Sequence, residues 1–336
     1  MRDYLEEEKL AEIEQVINAG LCTGCGGCEA ICPYRAVTVD EHPDADLKCV
    51  NCYLIKKYGA DVPFNSSAII SEDCENCYAC QRICPALDGH PEDEFDNVLK
   101  IFSGKSVIEG QDGGVVSRII ESLLEQEYID CALTVVRDGK WKAKPILITE
   151  PSDVNKVAGT KYTASPVLSL LKDNVDKYER IAVVGTPCQA HAAERFRWEV
   201  SRNIRLIIGL FCMESFTYED LCNRFITKDL NVPLDTVKKM DFDKGKFVVY
   251  ADEEHRVAIK DIAKYARSPC HHCLDFSSYY ADISVGSVGS PPGWSTIIIR
   301  NKIGKKYFDL IEGIEIGEAD LEFVKKLADR KHKINA

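Results

Sequence analysis

Two runs of closely spaced cysteines lie near the start of the chain. Residues 22–33 read CTGCGGCEAICP and residues 74–85 read CENCYACQRICP. Both fit the pattern C-x2-C-x2-C-x3-C-P, in which three thiolates bind one four-iron cluster and the fourth binds the cluster of the other run. Zinc sites favour paired C-x2-C knuckles instead, so the pattern indicates iron–sulfur clusters. The predicted ligands are Cys22, Cys25, Cys28 and Cys84 for one [4Fe-4S] cluster, and Cys74, Cys77, Cys80 and Cys32 for the other.

A further pair, Cys49 and Cys52, lies in the long segment between the two runs. It could form an additional metal site or a redox-sensitive thiol pair. A four-iron cluster needs four ligands, however, and no two further partners are evident. We interpret the segment as an inserted loop with reduced thiols.

Four later cysteines also have the types and spacing of metal ligands. Cys188 and Cys212 each follow an apolar strand pattern, and the carboxyl ends of strands in an open α/β sheet meet at one edge. Cys270 and Cys273 form a C-x2-C pair after a proline. This is the ligand count of a third four-iron cluster. Zinc, buried thiols and a nucleophilic Cys188 at a helix N-terminus stay open as alternatives.

The elements that must position these residues alternate between strand and helix patterns. Apolar runs at 181–185 and 204–211 are typical of strands covered on both faces, and 115–127 carries one apolar helical stripe. Further strands are predicted at 131–136, 145–149, 283–286 and 295–300, and a helix at 217–230. The pattern predicts a large α/β domain with a mixed sheet over residues 98–336, preceded by a small α+β ferredoxin-like domain over residues 1–97.

Other features of the large domain have ordinary structural explanations. Cys131 begins an apolar strand and Cys222 lies on an apolar helix face, so both are interpreted as buried structural thiols. The C-terminal residues LEFVKKLADRKHK predict a basic amphipathic helix. A charge run of this kind indicates a helix that faces water.

Three glycine-rich stretches could approach a cofactor closely. They read GQDGGVVS (110–117), AGTKYTASP (158–166) and VGSVGSPPGWST (285–296). Backbone N–H groups at a helix start can hold an anion, and glycines leave room for a flat ring. None of the stretches is a G-x-G-x-x-G fingerprint, so a Rossmann dinucleotide site is not indicated. Together they predict a large planar cofactor with phosphates.

Composition excludes several classes of protein. The formal net charge of -12 over 336 residues argues against a nucleic-acid binder. The acidic N-terminal residues lack the apolar core of a signal peptide, and no apolar run approaches the length of a membrane span. Sixteen cysteines in a chain of this size indicate metal or redox chemistry rather than a disulfide scaffold. A cytoplasmic location is expected, with peripheral attachment to a membrane complex as a variant.

Several segments together resemble the beta subunits of coenzyme F420-dependent hydrogenases and dehydrogenases. They are GQDGGVVS, GTKYTASP, VVGTPCQA, GLFC, SPCHHCLDFSSYYADISVGSVG and GWSTIIIR, which span about residues 100–310. With the ferredoxin module in front, the chain is most similar to the electron-input subunits of reduced-F420 dehydrogenase complexes of methanogenic archaea.

The resemblance implies oxidation of reduced F420, or the reverse reaction, by hydride transfer to FAD in a large FAD-binding domain. Electrons would then pass through three [4Fe-4S] clusters to a membrane-bound dehydrogenase complex, other redox subunits or a soluble ferredoxin. It also implies that Cys188, Cys212, Cys270 and Cys273 bind the third cluster. The FAD pocket is expected to include Gly113, Gly114, Val115, Ser117, Gly159, Thr160, Lys161, Tyr162, Ser165, Thr186, Pro187, Gly286, Gly289 and Trp294.

Two other functions remain open at this stage. The family includes reductases that take electrons from a separate ferredoxin and reduce an organic substrate, and a passive iron–sulfur adaptor without a hydride site is also conceivable.

The tail of F420 carries phosphate and glutamates, so a local basic patch is expected. Its candidate residues are either Lys140, Lys142 and Lys144, or Lys264 and Arg267.

Overall fold

A computed structural model describes residues 13, 15–41, 66–108 and 110–335. Cys49 and Cys52 lie outside the described residues. Thirteen strands form three sheets in this part of the chain. The strands are β1 Val37–Glu41, β2 Ser66–Ile70, β3 Lys100–Ser106, β4 Cys131–Arg137, β5 Ala143–Ile148, β6 Ile181–Gly185, β7 Ile204–Leu210, β8 Lys239–Asp243, β9 Lys246–Tyr250, β10 Glu254–Ala258, β11 Ile283–Gly286, β12 Ser295–Ile299 and β13 Ile314–Gly317.

Helices connect and cover these strands. The α-helices are α1 Gly27–Ile31, α2 Val115–Glu125, α3 Leu171–Asn174, α4 Pro187–Glu199, α5 Ile259–Ala263, α6 Lys302–Phe308 and α7 Leu321–Asn335, and Glu219–Asp229 forms a π-helix. No helix in the described ranges is both long and apolar enough to cross a bilayer.

The largest sheet has eight strands in the order β13-β3-β12-β11-β7-β6-β4-β5. Its four central strands, β11, β7, β6 and β4, are mutually parallel, and the outer strands pair antiparallel. The strands expected at 131–136, 145–149, 181–185, 204–211, 283–286 and 295–300 all belong to this sheet. The mixed sheet therefore agrees with the pattern of the sequence.

Both faces of the central strands are buried. Along β6, Ile181 and Val183 face one hydrophobic cluster, while Ala182 and Val184 face the other. Helix α2 packs in the cluster of Ala182, and α4 packs in that of Ile181. Burial on both sides explains why the strand sequence is continuously apolar rather than alternating.

Two smaller sheets flank the large one. Strands β8, β9 and β10 form an antiparallel meander that shares a hydrophobic cluster with the π-helix. Strands β1 and β2 pair antiparallel in the N-terminal part of the chain. Their cluster includes Val37, Val39 and Ala68, with Cys22, Cys28 and Cys32 packed beside them.

Candidate iron–sulfur and cofactor site

The ferredoxin cysteines meet in the two sets that the C-x2-C-x2-C-x3-C-P pattern predicts. Burial raises the pKa of Cys84 to about 12, and Cys25 and Cys22 lie close enough for their charges to add to the rise. Cys80 is affected in the same way by burial and then by Cys77, Cys74 and Cys32, and its pKa rises to about 11. The structure thus brings together a first ferredoxin site and a second ferredoxin site. The first consists of Cys22, Cys25, Cys28 and Cys84, and the second of Cys74, Cys77, Cys80 and Cys32.

Backbone N–H groups point at several of these sulfur atoms. Ala68 N donates to Cys22 Sγ at 3.4 Å, and Ala36 N donates to Cys32 Sγ at 3.3 Å. Such hydrogen bonds favour negatively charged sulfur and are one of the determinants of cluster reduction potential. They arise because β1 and β2 pair beside the cysteine loops.

Four cysteines of the large domain meet at a third cysteine site, defined as Cys188, Cys212, Cys270 and Cys273. Three segments supply them: the N-terminus of α4, the residues after β7, and the turn at 268–273. The charges of Cys270, Cys188 and Cys273 act on Cys212, and those of Cys188 and Cys270 act on Cys273, which places the four side chains together. β6 and β7 are parallel neighbours with Gly185 opposite Gly209, so the residues that follow them emerge at the same edge of the sheet.

The surroundings of Cys188 do not favour an activated nucleophile. Thr186 caps α4 and its Oγ1 lies 3.4 Å from Cys188 Sγ, which helps to orient the thiol. Burial nevertheless raises the pKa of Cys188, whereas a reactive cysteine requires a lowered pKa. Burial also raises the pKa of Cys273, to about 11. Thiols in such an environment become anionic when they bind a metal centre, because the metal replaces the proton.

The geometry also bears on what kind of centre could be bound. Within the described ranges, no three histidine, cysteine, aspartate or glutamate side chains converge on one point as ligands of a single ion. The four ligands of a four-iron cluster bind four different iron atoms of a cube and stand further apart.

The first ferredoxin site and the third cysteine site lie next to each other. The charge of Cys25 contributes to the raised pKa of Cys188. Arg267, which is buried, has its Nη2 3.5 Å from Cys22 O, and its charge opposes the rise in the pKa of Cys188. Leu168 N also donates to Cys25 O at 3.1 Å. The guanidinium of Arg267 therefore lies between two groups of cysteines.

Gly26 allows the first ferredoxin site to pack this closely. Its φ is +86°, and a Cβ at this position would lie 2.6 Å from Ser169 N and 2.8 Å from Pro166 O. Both are backbone atoms and cannot rotate away. The cysteine loop therefore contacts the segment 166–169 directly, through its own backbone.

We expect Gly26→Ala to destabilise the protein more than Gly245→Ala. A left-handed alanine costs about 1–2 kcal/mol at either position, but only Gly26 adds a clash with backbone, because nothing lies within 4 Å of the Cβ position of Gly245. The measurement is denaturant unfolding without oxygen, together with iron content. Equal losses in the two variants would contradict the packing argument.

The predicted cofactor-pocket residues fall into separate groups. Gly113, Gly114 and Trp294 lie together, because the Cβ position of Gly113 is 3.1 Å from Trp294 Cα and from Gly293 O. Val115 is in the hydrophobic core and Ser117 is half-buried on the same helix. Thr186 and Pro187 lie at the N-terminus of α4, directly before Cys188. Gly286 packs against the Phe211 ring and Gly289 packs against Val324 and Asp320 O.

The segment 159–165 connects these groups. Gln111 Oε1 accepts a hydrogen bond from Thr160 N at 3.2 Å, which joins the segment to the turn before Gly113. Buried Ser165 lies at the other end, where its carbonyl accepts from Gln189 Nε2 of α4. The segment thus runs from the glycine turn to the third cysteine site.

Lys161 is partly buried and lies near a second positive charge. Its Nζ donates to Val157 O and to Ala158 O, the latter at 3.1 Å. Burial and then the charge of Arg137 lower the pKa of Lys161 to about 8. Arg137 stacks on Trp141, with Cζ 3.9 Å from the ring centroid. Two neighbouring cations of this kind favour an anionic ligand.

The remaining basic candidates are not brought to one place. Lys144 forms an ion pair with Asp138, N to O 3.0 Å, and the backbones of Lys140 and Lys142 donate to the same carboxylate. Lys264 lies over the ring of Tyr265. Arg267, the fifth candidate, is the buried residue between the two cysteine sites and does not belong to a surface patch.

Comparison with known proteins adds the decisive observation. Residues 101–172 match the N-terminal model of the coenzyme F420 hydrogenase/dehydrogenase beta subunit, and residues 178–322 match its C-terminal model. Residues 21–87 match the 4Fe-4S dicluster domain. The chain is 46% identical over 333 residues to an F(420)H(2) dehydrogenase subunit of Methanosarcina mazei, an alignment that covers 97% of this chain and 93% of that protein. The chain belongs to the family of coenzyme F420 hydrogenase/dehydrogenase beta subunits.

Two further relatives have lower sequence identity to this chain. Coenzyme F420-dependent sulfite reductase of Methanocaldococcus jannaschii is 32% identical over 356 residues; the match covers 96% of this chain but only about half, 53%, of that protein. A solved structure of the F420-reducing [NiFe] hydrogenase complex from Methanosarcina barkeri contains a chain with 32% identity and a TM-score of 0.68. That match covers 74% of this chain and 93% of the other.

One part of the predicted fold class is wrong. The resemblance implies that the large domain has the fold class of an FAD-binding domain, but its matches are to this family of beta subunits and to the fold of the hydrogenase chain. The physical reason lies in the glycines. Gly113, Gly286 and Gly289 suggest space for a ring, yet each is required where the protein packs closely on itself.

Two residues near the third cysteine site were missed by sequence reasoning. Lys331 and Asn335, both on α7, donate hydrogen bonds to carbonyl groups of the cysteine segments. The prediction that this helix simply faces water is wrong for that face, since Lys331 is 2% exposed. The available signal was the spacing of Val324, Ala328 and Lys331 on one side of the helix.

Proposed function

We propose that this chain is a reduced-F420 dehydrogenase component that passes electrons from F420 through iron–sulfur clusters to other redox subunits. The observation that carries the proposal is the third cysteine site next to the first ferredoxin site, in a chain that belongs to this family of beta subunits. Related chains are named for F420 hydrogenase and dehydrogenase complexes. The reaction would be reversible, with its direction set by the partner. We keep 1–97 and 98–336 as the proposed domains.

The proposed clusters form a chain that ends near the surface. The third cysteine site would receive electrons first, followed by the first ferredoxin site, whose Cys25 is electrostatically coupled to Cys188. The second ferredoxin site includes the exposed Cys77. A partner that docks there would bring its own redox centre within reach. Electrons that leave the chain at the second ferredoxin site could pass to another redox subunit or to a ferredoxin.

Reduced F420 donates a hydride, whereas iron–sulfur clusters accept one electron at a time. A group that can accept a hydride and release single electrons is needed between them, and FAD would supply this chemistry when bound. Lys161 and Arg137 line a cavity of about 10 Å³ and would attract an anionic group to its opening. Among the described residues, buried Ser165 Oγ has no hydrogen-bond partner and could donate to a ligand. Gly159 has a φ of +84°, and the nearest atom to its Cβ position is Gln111 Oε1 at 3.9 Å, so its backbone is not tightly covered. These residues would bind and orient such a group next to the third cysteine site.

The direct test uses the full chain purified without oxygen. Iron and flavin are measured, and the protein is then mixed with reduced F420 and a viologen dye, with NADH and NADPH as controls. We expect dye reduction with reduced F420 and none with the nicotinamides, because the chain lacks a Rossmann fingerprint.

The other outcomes identify the competing functions. No dye reduction in protein that contains iron and flavin would indicate a reductase of an organic substrate. Iron without flavin, even after FAD is added back, would indicate an electron-transfer adaptor. Either result would overturn the proposal.

A further inference from the structure

Helix α7 packs across the third cysteine site. Its buried residues Val324, Ala328 and Lys331 lie four and three positions apart and therefore share one face. Val324 and Ala328 pack with Phe276, which follows the turn that contains Cys273. The helix is thus held against the segment that carries two of the four cysteines.

Two side chains at the end of α7 contact the cysteine segments. Lys331 Nζ donates to Cys212 O and to Asp275 O, both at 2.8 Å. Asn335 Nδ2 donates to Cys270 O and to Cys273 O, also both at 2.8 Å. Together they contact the backbone of three of the four cysteines.

The charge of Lys331 is buried without a carboxylate beside it. Among the described residues, the ion pairs found do not include Lys331, and its hydrogen bonds to oxygen are to neutral carbonyl groups. Glu214 is close enough to sense its charge, but among the described residues the two side chains do not form an ion pair. A buried ammonium group is unfavourable unless an anion compensates its charge.

The cysteines can supply that missing negative charge. Cys273, Cys212 and Cys270 lie close enough to act electrostatically on the ammonium group of Lys331, which donates to Cys212 O at 2.8 Å. A four-iron cluster with four thiolate ligands is an anion in both of its common oxidation states, and it becomes more negative on reduction. A fixed cation beside it stabilises the reduced form more than the oxidised form.

We propose that Lys331 is a positioning residue that balances the charge of the third cluster and raises its reduction potential, while Asn335 fixes the turn between Cys270 and Cys273. The proposal rests on the function proposed above, because it requires a cluster at the third cysteine site. It extends that function by assigning control of one step in the electron path to the C-terminal helix.

The test compares Lys331→Met with Lys333→Met in the full chain. Both changes remove one positive charge from α7, but Lys333 is exposed and has no contact with the cysteine segments among the hydrogen bonds of the described residues. Redox titrations followed by electron paramagnetic resonance measure the midpoint potential of each cluster. In Lys331→Met we expect one midpoint to fall by at least about 59 mV, which is tenfold in a one-electron equilibrium constant. The other two midpoints, and all three in Lys333→Met, should stay unchanged.

A second variant separates charge from packing. Lys331→Arg keeps the charge, so we expect it to retain the iron and a midpoint near that of the unmodified protein. If Lys331→Met loses the iron of one cluster and Lys331→Arg keeps it, the charge is required and the proposal is supported. If both variants lose iron equally, or if the midpoint in Lys331→Met does not move, the proposal is overturned.

Iron content distinguishes failure of this inference from failure of the proposed function. Cys188→Ala should contain one cluster less than the unmodified chain. If its iron content is unchanged, there is no third cluster and both proposals fail together. If iron falls in Cys188→Ala but the midpoint in Lys331→Met is unchanged, only the role of Lys331 is wrong.

Discussion

Reduction of the ferredoxin clusters by reduced F420 is expected to slow by at least about 100-fold in Cys188→Ala. Loss of a residue that merely orients a metal ligand can cost 10–100-fold in activity, and loss of a ligand itself should cost more. Cys188 belongs to the third cysteine site, which we place between the hydride donor and the first ferredoxin site. The measurement is stopped-flow bleaching of cluster absorbance after mixing with reduced F420, together with iron content.

The matched controls are Cys222→Ala and Cys131→Ala. Both thiols are fully buried and neither belongs to a cysteine site, although Cys270 packs at the edge of the cluster that contains Cys222 and Cys25 lies in the cluster that contains Cys131. Alanine removes one buried sulfur in each case, so we expect a modest loss of stability and an unchanged amount of iron. A normal bleaching rate in Cys188→Ala, or an equal fall in all three variants, would argue against a cluster at this site.

The sequence could predict two of the four cysteines of this site because local patterns determine where they lie. β6 and β7 are recognisable as continuous apolar runs, and parallel pairing then aligns Cys188 and Cys212 at one edge. Cys270 and Cys273 could be added only by counting ligands and by resemblance. Their position depends on the pairing of Phe216 with Ala266, a contact that spans fifty residues and leaves no periodic signal.

Other parts of the fold were not predicted because the signals were weak or misleading. The hairpin between β8 and β9 turns at Lys244 and Gly245, which have φ values of 47° and 73°. A two-residue turn with glycine and positive φ is typical of a hairpin. The sequence contains only the glycine, and the φ values are visible only in the structure. The burial of Lys331 could not be inferred in the same way. A lysine among other charged residues has the composition of an exposed helix, and only tertiary contacts show that it faces the cysteines.

A single carboxylate connects the three segments that supply the third cysteine site. Asp282, which is fully buried, accepts bonds from Arg197 of α4 through both oxygens, at 2.7 and 3.1 Å. It also accepts from Ile207 N of β7 at 2.7 Å and from Asn301 Nδ2 at 2.8 Å. Asp282 itself follows the segment that contains Cys270 and Cys273. Its side-chain hydrogen bonds in the described part of the chain are not to cysteines, yet α4, β7 and that segment are all joined through it.

We therefore expect Asp282→Ala to lower the free energy of unfolding by about 3–5 kcal/mol, since the buried guanidinium of Arg197 would lose its partner. Asp173→Ala is the control, because it breaks an exposed ion pair with Arg35 and should cost at most about 1 kcal/mol. Urea unfolding without oxygen measures both changes, and iron content reports on the cysteine site. Asp282→Ala should also lose iron from the third site, whereas Asp173→Ala should not.

Similar losses of stability in the two variants would show that the Asp282 network does not hold these segments together. Lost stability with full iron content would show that the cysteine segments keep their arrangement without it.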